Sequence, residues 1–236
     1  MSVLVGGRLV SVWLRTRQLP ELLLGISTLV LGGIAYPVGA VVTSGEVEVA
    51  AFWRSWLSVG ANVACHLAYA LVLAFTVKVF RPGAIWASRM QWPIWMIQAA
   101  AMWLFGVEIV RTLGHSEHVA TWVSCVNLVA PILIFGWTAV ESFHAHLKAR
   151  RRLALGLIDA VVANRMLMWA GFGGAIAVGT IQSFAYEVLE IPYMQVESAQ
   201  AVMSVLGLAE TAFLALAFFP PAAYRSWILR RASKTG

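Results

Sequence analysis

The chain has 236 residues, of which 60% are hydrophobic and 12% charged, with a formal net charge of +6. Soluble domains carry about 45–50% apolar and roughly 25% charged residues, so this composition excludes disorder, a nucleic-acid-binding domain and most soluble enzymes. Cys65 and Cys125 both lie in apolar runs without CxxC or Cys/His spacing, which argues against a disulfide scaffold and a structural zinc site.

Residues 1–18 mix Leu4, Val5, Leu9, Val12 and Trp13 with Arg8, Arg15 and Arg17, a pattern expected of an amphipathic helix on a membrane surface. Six apolar runs follow, at about 22–43, 56–77, 93–110, 119–140, 166–186 and 199–220. A spanning helix needs roughly 20 mostly apolar residues, and uniform rather than alternating hydrophobicity favours helices over a barrel. The first run is longer than a signal-peptide core and starts late, so it is expected to be retained. The fold class expected is therefore all-α: one six-helix transmembrane bundle over residues 19–222, with a basic cytoplasmic tail at 223–236. Residues 150–165, with Leu153, Leu157, Ile158 and Val161 beside basic groups, read as a second interfacial stretch.

Alternating the loops puts 15 of the 17 basic residues on one side, leaving Arg54 and Arg111 on the other with most of the acids. The positive-inside rule then places both termini in the cytoplasm. Trp86, Trp92, Trp169 and Trp227 fall near the inner boundary and Trp53, Trp56 and Trp122 near the outer one, as an aromatic belt would; Trp103 and Trp137 sit deeper. Arg150, Arg151, Arg152, Arg230 and Arg231 are expected to face anionic lipid headgroups, or alternatively a cytoplasmic partner. Fourteen arginines against three lysines, with abundant alanine and valine, point to a GC-rich bacterial host and so to a bacterial cytoplasmic membrane.

Gly171, Ala175 and Gly179 recur every four residues, as do Ala35 and Gly39; such small-residue faces let helices approach closely, within one chain or between copies in a homo-oligomer. Pro37 and Pro131 mark expected kinks, the latter removing the donor for the Asn127 carbonyl.

Ionisable groups at mid-membrane are few and costly, so they mark candidate sites. His66 lies midway in the second run, with Asn62 and Tyr69 on its face, and Glu210 lies midway in the sixth. Equal depth permits a His66–Glu210 hydrogen bond, and such a pair could exchange protons near neutral pH. Gln98 and Asn127 add polar groups to the same interior or serve as interhelical hydrogen bonds. Glu108 with Arg111, and Arg17 with Glu21, have the spacing of local ion pairs. His115, His118, Glu141, His144 and His146 are metal-capable, but the single Glu141-x-x-His144 motif falls short of the paired motifs of di-iron bundles. Haem has one core ligand in His66 and no second core histidine.

No P-loop, dinucleotide, Gly-x-Ser-x-Gly or HExxH motif occurs, which weighs against an enzyme. The function expected is a small-solute or ion transporter or channel with proton linkage through Glu210 and His66. The alternatives are a sensor, scaffold or accessory subunit that binds a partner through its basic face, and a haem- or quinone-binding redox protein using His66.

Overall fold

The computed structural model describes residues 2–43, 50–113, 115, 118–191 and 196–232. Its elements are α1 (Ser2–Thr16), α2 (Leu19–Val30), a π-helical turn (Leu31–Ala35), α3 (Tyr36–Thr43), α4 (Ala51–Phe80), α5 (Ile85–Arg111), α6 (Thr121–Ala154), α7 (Ala160–Val188), α8 (Glu197–Phe218) and α9 (Ala222–Ala232). Six stretches are long and apolar enough to cross a membrane: Leu19–Val42, Phe52–Phe80, Ile85–Arg111, Thr121–Ala154, Ala160–Val188 and Glu197–Phe218. The helices outrun most of the apolar segments that mark them, because backbone hydrogen bonding continues past the last apolar residue into polar turns. Glu46, Glu48, Glu117 and Lys234 lie outside the described residues.

The first span is not one regular helix. Pro37 has no N–H to give the carbonyl of Gly33, and the Tyr36 N–H reaches back five residues to Leu31. The result is a single wide turn at Leu31–Ala35, the sort of π-bulge often found at functional positions. Pro131, by contrast, is accommodated inside an unbroken α6.

Chain reversals follow from local chemistry. At Pro82-Gly83, Gly83 takes φ +75° and Ala84 donates to the Arg81 carbonyl at 3.1 Å, a turn in which proline presets the first corner and glycine permits the second. Helix α6 ends where Gly156 adopts φ +69°. Its N–H bonds to Leu153 and that of Leu157 to Arg152, both at 2.9 Å, which closes the helix by a Schellman motif. Two residues on, the Asp159 carboxylate accepts from the Val161 N–H at 2.7 Å and caps α7. The stretch expected to lie along the interface at residues 150–165 is therefore the end of one long helix, a short turn and the start of the next. Capping at Gly156 and Asp159 sets where one helix stops and the next begins.

Helix α1 folds back along α2. A Cβ on Gly6 would meet the Gly25 carbonyl at 2.9 Å, and one on Gly25 would meet the Val10 backbone at 3.0 Å; without side chains there, the two backbones touch. Ser2 packs against Gly32, 13 residues beyond the start of α2, so α1 extends roughly 20 Å along the first span at 1.5 Å per residue. Val5 and Leu9 are buried with Leu24, Phe75, Trp169 and Leu214, making α1 part of the core of the basic half of the bundle. Its Val3, Leu4 and Leu14 remain exposed.

A second core cluster joins Val72, Leu73, Ile94, Ile134, Phe135 and Ala177 of α4 to α7. The small-residue face of α7 is used for close packing: Gly171 lies against the Phe213 ring and Gly179 against Met203 and Leu206. The opposite side of α7 meets the backbone of α6, where a Cβ on Gly173 would lie 3.0 Å from the Phe135 carbonyl. Trp169, expected in the aromatic belt, is 4% exposed and packs on Phe75 in the first core cluster. Trp103, expected to lie deeper, is 72% exposed and faces outward. Uniform hydrophobicity around these helices hides which side faces neighbours, so sequence position gives an indole's depth along its span but not whether it packs inward or faces outward.

Candidate functional site

The centre of the bundle holds a polar cluster contributed by α4, α5 and α6. His66 and Asn62 lie one turn apart on α4, and both are buried. His66 Nε2 makes a 2.8 Å hydrogen bond with Asn127 Oδ1 of α6. With the carbonyl as acceptor, Nε2 carries the proton and Nδ1 presents a lone pair. Gln98 Nε2 of α5 donates to the His66 carbonyl at 3.0 Å. The Tyr69 ring meets the His66 ring edge-on at 5.8 Å and in turn packs on Phe135. Four of the polar residues singled out by sequence are thus drawn together: Asn62, His66, Gln98 and Asn127.

The cluster leaves hydrogen-bonding capacity unused. Asn62 Nδ2, His66 Nδ1 and Gln98 Oε1 are buried without a protein partner. An unmet buried donor or acceptor costs about 1–3 kcal/mol, and native interiors rarely leave such groups orphaned. Two of the three sit on one face of α4, and Gln98 is held at the His66 backbone. A small polar species with both donor and acceptor character suits this set.

Glu210 does not reach His66, whose Nε2 is taken by Asn127. Instead Glu210, half-buried on α8, lies close enough to the Tyr36 hydroxyl for its charge to act there. Tyr36 follows the π turn in the first span, and both it and Cys65 are within hydrogen-bonding reach of the Tyr69 hydroxyl. The two mid-membrane ionisable groups are therefore not paired, and Tyr36 neighbours both Glu210 and Tyr69. Sequence reasoning missed Tyr36 and Cys65. The signal available was Gly32-Gly33 followed by Tyr36-Pro37, a flexible pair and a proline flanking a polar aromatic.

The metal-capable residues disperse. Arg54 Nη1 lies 3.1 Å from His115 Nε2, so a cation already occupies that position, and the His118 ring sits 5.5 Å from the His115 ring. Glu141 accepts from Arg81 Nε at 2.8 Å and from Trp137 Nε1 at 3.2 Å. His146 Nδ1 pairs with the Ala163 carbonyl at 2.8 Å, while His144 faces outward. Among the described residues no three His, Cys, Asp or Glu side chains gather as a metal-binding group.

Of the expected local pairs, Glu108 and Arg111 form theirs, Arg111 Nε donating at 2.9 Å. Arg17 and Glu21 do not: Glu21 accepts from the Thr16 hydroxyl, and Arg17, at φ +58°, turns its guanidinium over the Trp13 ring. The positive φ at Arg17 breaks the helical register on which i,i+4 pairing depends. Arg150, Arg151 and Arg152 are exposed at the end of α6, and Arg231 of α9 lies 5.3 Å above the Trp227 ring. The chain matches no protein-family model, no curated protein and no solved structure.

Proposed function

We propose that this chain is a multi-pass protein of a bacterial cytoplasmic membrane, with both termini inside, that moves a small polar solute or ion with proton linkage. The observation that carries this reading is the set of unpartnered polar atoms around His66, at the middle of three apolar helices. Polar groups at that depth are expensive unless something satisfies them, and a passing solute with hydrogen-bonding groups does so in the bound state. Two further features support it. The first span is broken by a π turn next to Tyr36, as helices are at many transport sites. Glu210, Tyr36, Tyr69 and His66 also form a sequence of proton-bearing groups from α8 to α4.

In this scheme the solute hydrogen-bonds Asn62, Gln98 and the free nitrogen of His66, while Asn127 fixes the imidazole. Glu210 exchanges the coupled proton, and the two tyrosines separate it from the solute. The position of the basic residues supports the orientation through the positive-inside rule.

The test is charge displacement on a solid-supported membrane carrying the full chain, driven by jumps in pH and in a panel of small solutes and salts. Wild-type protein is expected to give transients that Glu210→Gln and His66→Ala each reduce at least about tenfold. Absence of any transient on all jumps, or full retention in both variants, overturns the reading.

A further inference from the structure

Helix α6 continues past the apolar part of its span with His144, Leu147, Lys148 and Arg151, at spacings of three and four that put all four on one face. Opposite this face stands Arg81, at the end of α4. Glu141, one turn before that stripe, is 6% exposed and grips Arg81 through Nε, and Trp137 Nε1 donates to the other carboxylate oxygen. Trp86 lies below the Arg81 guanidinium at 5.4 Å and stacks on Trp137 with ring centroids 6.0 Å apart. An aromatic and carboxylate scaffold thus holds one cation at a fixed place facing a basic helix stripe.

Between them is a cavity of about 320 Å³ lined by Arg81, His144, Leu147, Lys148 and Arg151. His144 also lines a second, open groove of about 520 Å³ between α6 and α7, whose other walls include Val140, Phe143, Leu167 and Ala170. The groove is apolar and runs towards the bundle's middle; the cavity is cationic and lies at its basic end. Both are open to their surroundings rather than enclosed. A polar cationic chamber joined through a single histidine to an apolar channel has the complementarity of an amphiphile with a negative head.

We propose that this paired cavity and groove bind one molecule of an anionic phospholipid, with its phosphate among Arg81, Lys148 and Arg151 and an acyl chain along Val140, Phe143 and Leu167. Lysine supplies a mobile point charge and the two arginines supply planar donor sets that fit phosphate oxygens. Glu141 offsets one of the three positive charges, leaving an excess of two to face the head. Site-bound lipid of this kind differs from diffuse attraction of the basic face, because it requires particular residues and a tail.

The test is native mass spectrometry of the full chain released from uncharged detergent and titrated with phosphatidylglycerol or phosphatidylcholine of identical acyl chains. One phosphatidylglycerol is expected to bind in preference to phosphatidylcholine. Lys148→Ala with Arg151→Ala is expected to weaken it about thirtyfold, on the basis of about fivefold for each basic group near a headgroup. Arg150→Ala with Arg152→Ala removes the same charge from the same helix outside the cavity, and is expected to change binding less than about threefold. Ala170→Phe, which fills the groove and leaves charge untouched, is expected to weaken both lipids. Equal losses in the two charge-removal pairs would show diffuse attraction and overturn the proposal. So would equal binding of the two lipids, an unaffected Ala170→Phe protein, or displacement of the lipid by millimolar inorganic phosphate, which would make the chamber a free-phosphate site.

Discussion

His66 and Glu210 lie at comparable positions along their helices, yet their surroundings have little in common. His66 is 4% exposed, bonded to Asn127, edged by Tyr69 and backed by Gln98 at its carbonyl. Glu210 is half-buried on the last span, where its charge acts on the Tyr36 hydroxyl of the first span. Depth along the helix axis sets the cost of an ionisable group, but the number of helices packed around it sets how that cost is met. Helix α4 contacts α2, α5 and α6 and forms the bundle's interior. Helix α8 packs chiefly on α7 and presents Val205 and Leu208 outward. The inner residue is consequently built into a network, while the outer one has few packed neighbours around it.

The largest effect that would sharpen this contrast is the loss of the imidazole. His66→Ala deletes a buried ring and strands Asn127, so it is expected to cost about 2–4 kcal/mol in reversible unfolding in detergent. A change below about 0.5 kcal/mol would mean that His66 is not integrated into the core. Next comes Asn127→Leu, expected to cost about 1–2 kcal/mol because it leaves the His66 nitrogen unbonded. Combining it with His66→Leu should recover part of that loss, and a strictly additive double mutant would deny the coupling. Glu210→Gln is expected to stay within about 0.5 kcal/mol of wild type while abolishing the pH-driven transients, since the amide keeps the shape and loses the proton. A large stability loss there would place Glu210 in a structural network after all. The smallest effect belongs to Tyr36→Phe: a few tenths of a kcal/mol in stability, together with slowed transients that His66→Ala does not slow further. Unchanged transients would remove the tyrosines from the path between the two sites.

Much of the architecture is legible from hydrophobic run length, because lipid demands about 20 apolar residues per crossing and satisfied backbone groups throughout. The six spans follow from that alone. The grouping of Asn62, His66, Gln98 and Asn127 was foreseeable only as a possibility, since helical periodicity relates Asn62 to His66 but says nothing of α5 and α6. Rotation of each helix about its axis is the missing quantity. In a chain that is apolar on every side, periodicity does not reveal it, and only packing shows Trp169 buried and Trp103 facing outward. The fold-back of α1 along α2 escaped for a related reason: its amphipathic pattern fits a lipid surface as well as a groove of glycines. Gly6, Gly25 and Gly32 mark that contact, but their pairing is visible only when the two helices are side by side.

Sequence by itself determined that the chain forms six long apolar helices and which end carries the positive charge. These are local or additive properties, set by the bilayer's thickness and by the count of arginines in each connection. Tertiary structure alone decided the partners. It gave His66 to Asn127 rather than Glu210, Glu21 to Thr16 rather than Arg17, and Glu141 to Arg81 rather than to a metal-binding set. Each of those outcomes depends on short distances, most of them across helices, and a hydrogen bond forms only within a few tenths of an ångström of the right place. That placement comes from how the whole bundle packs.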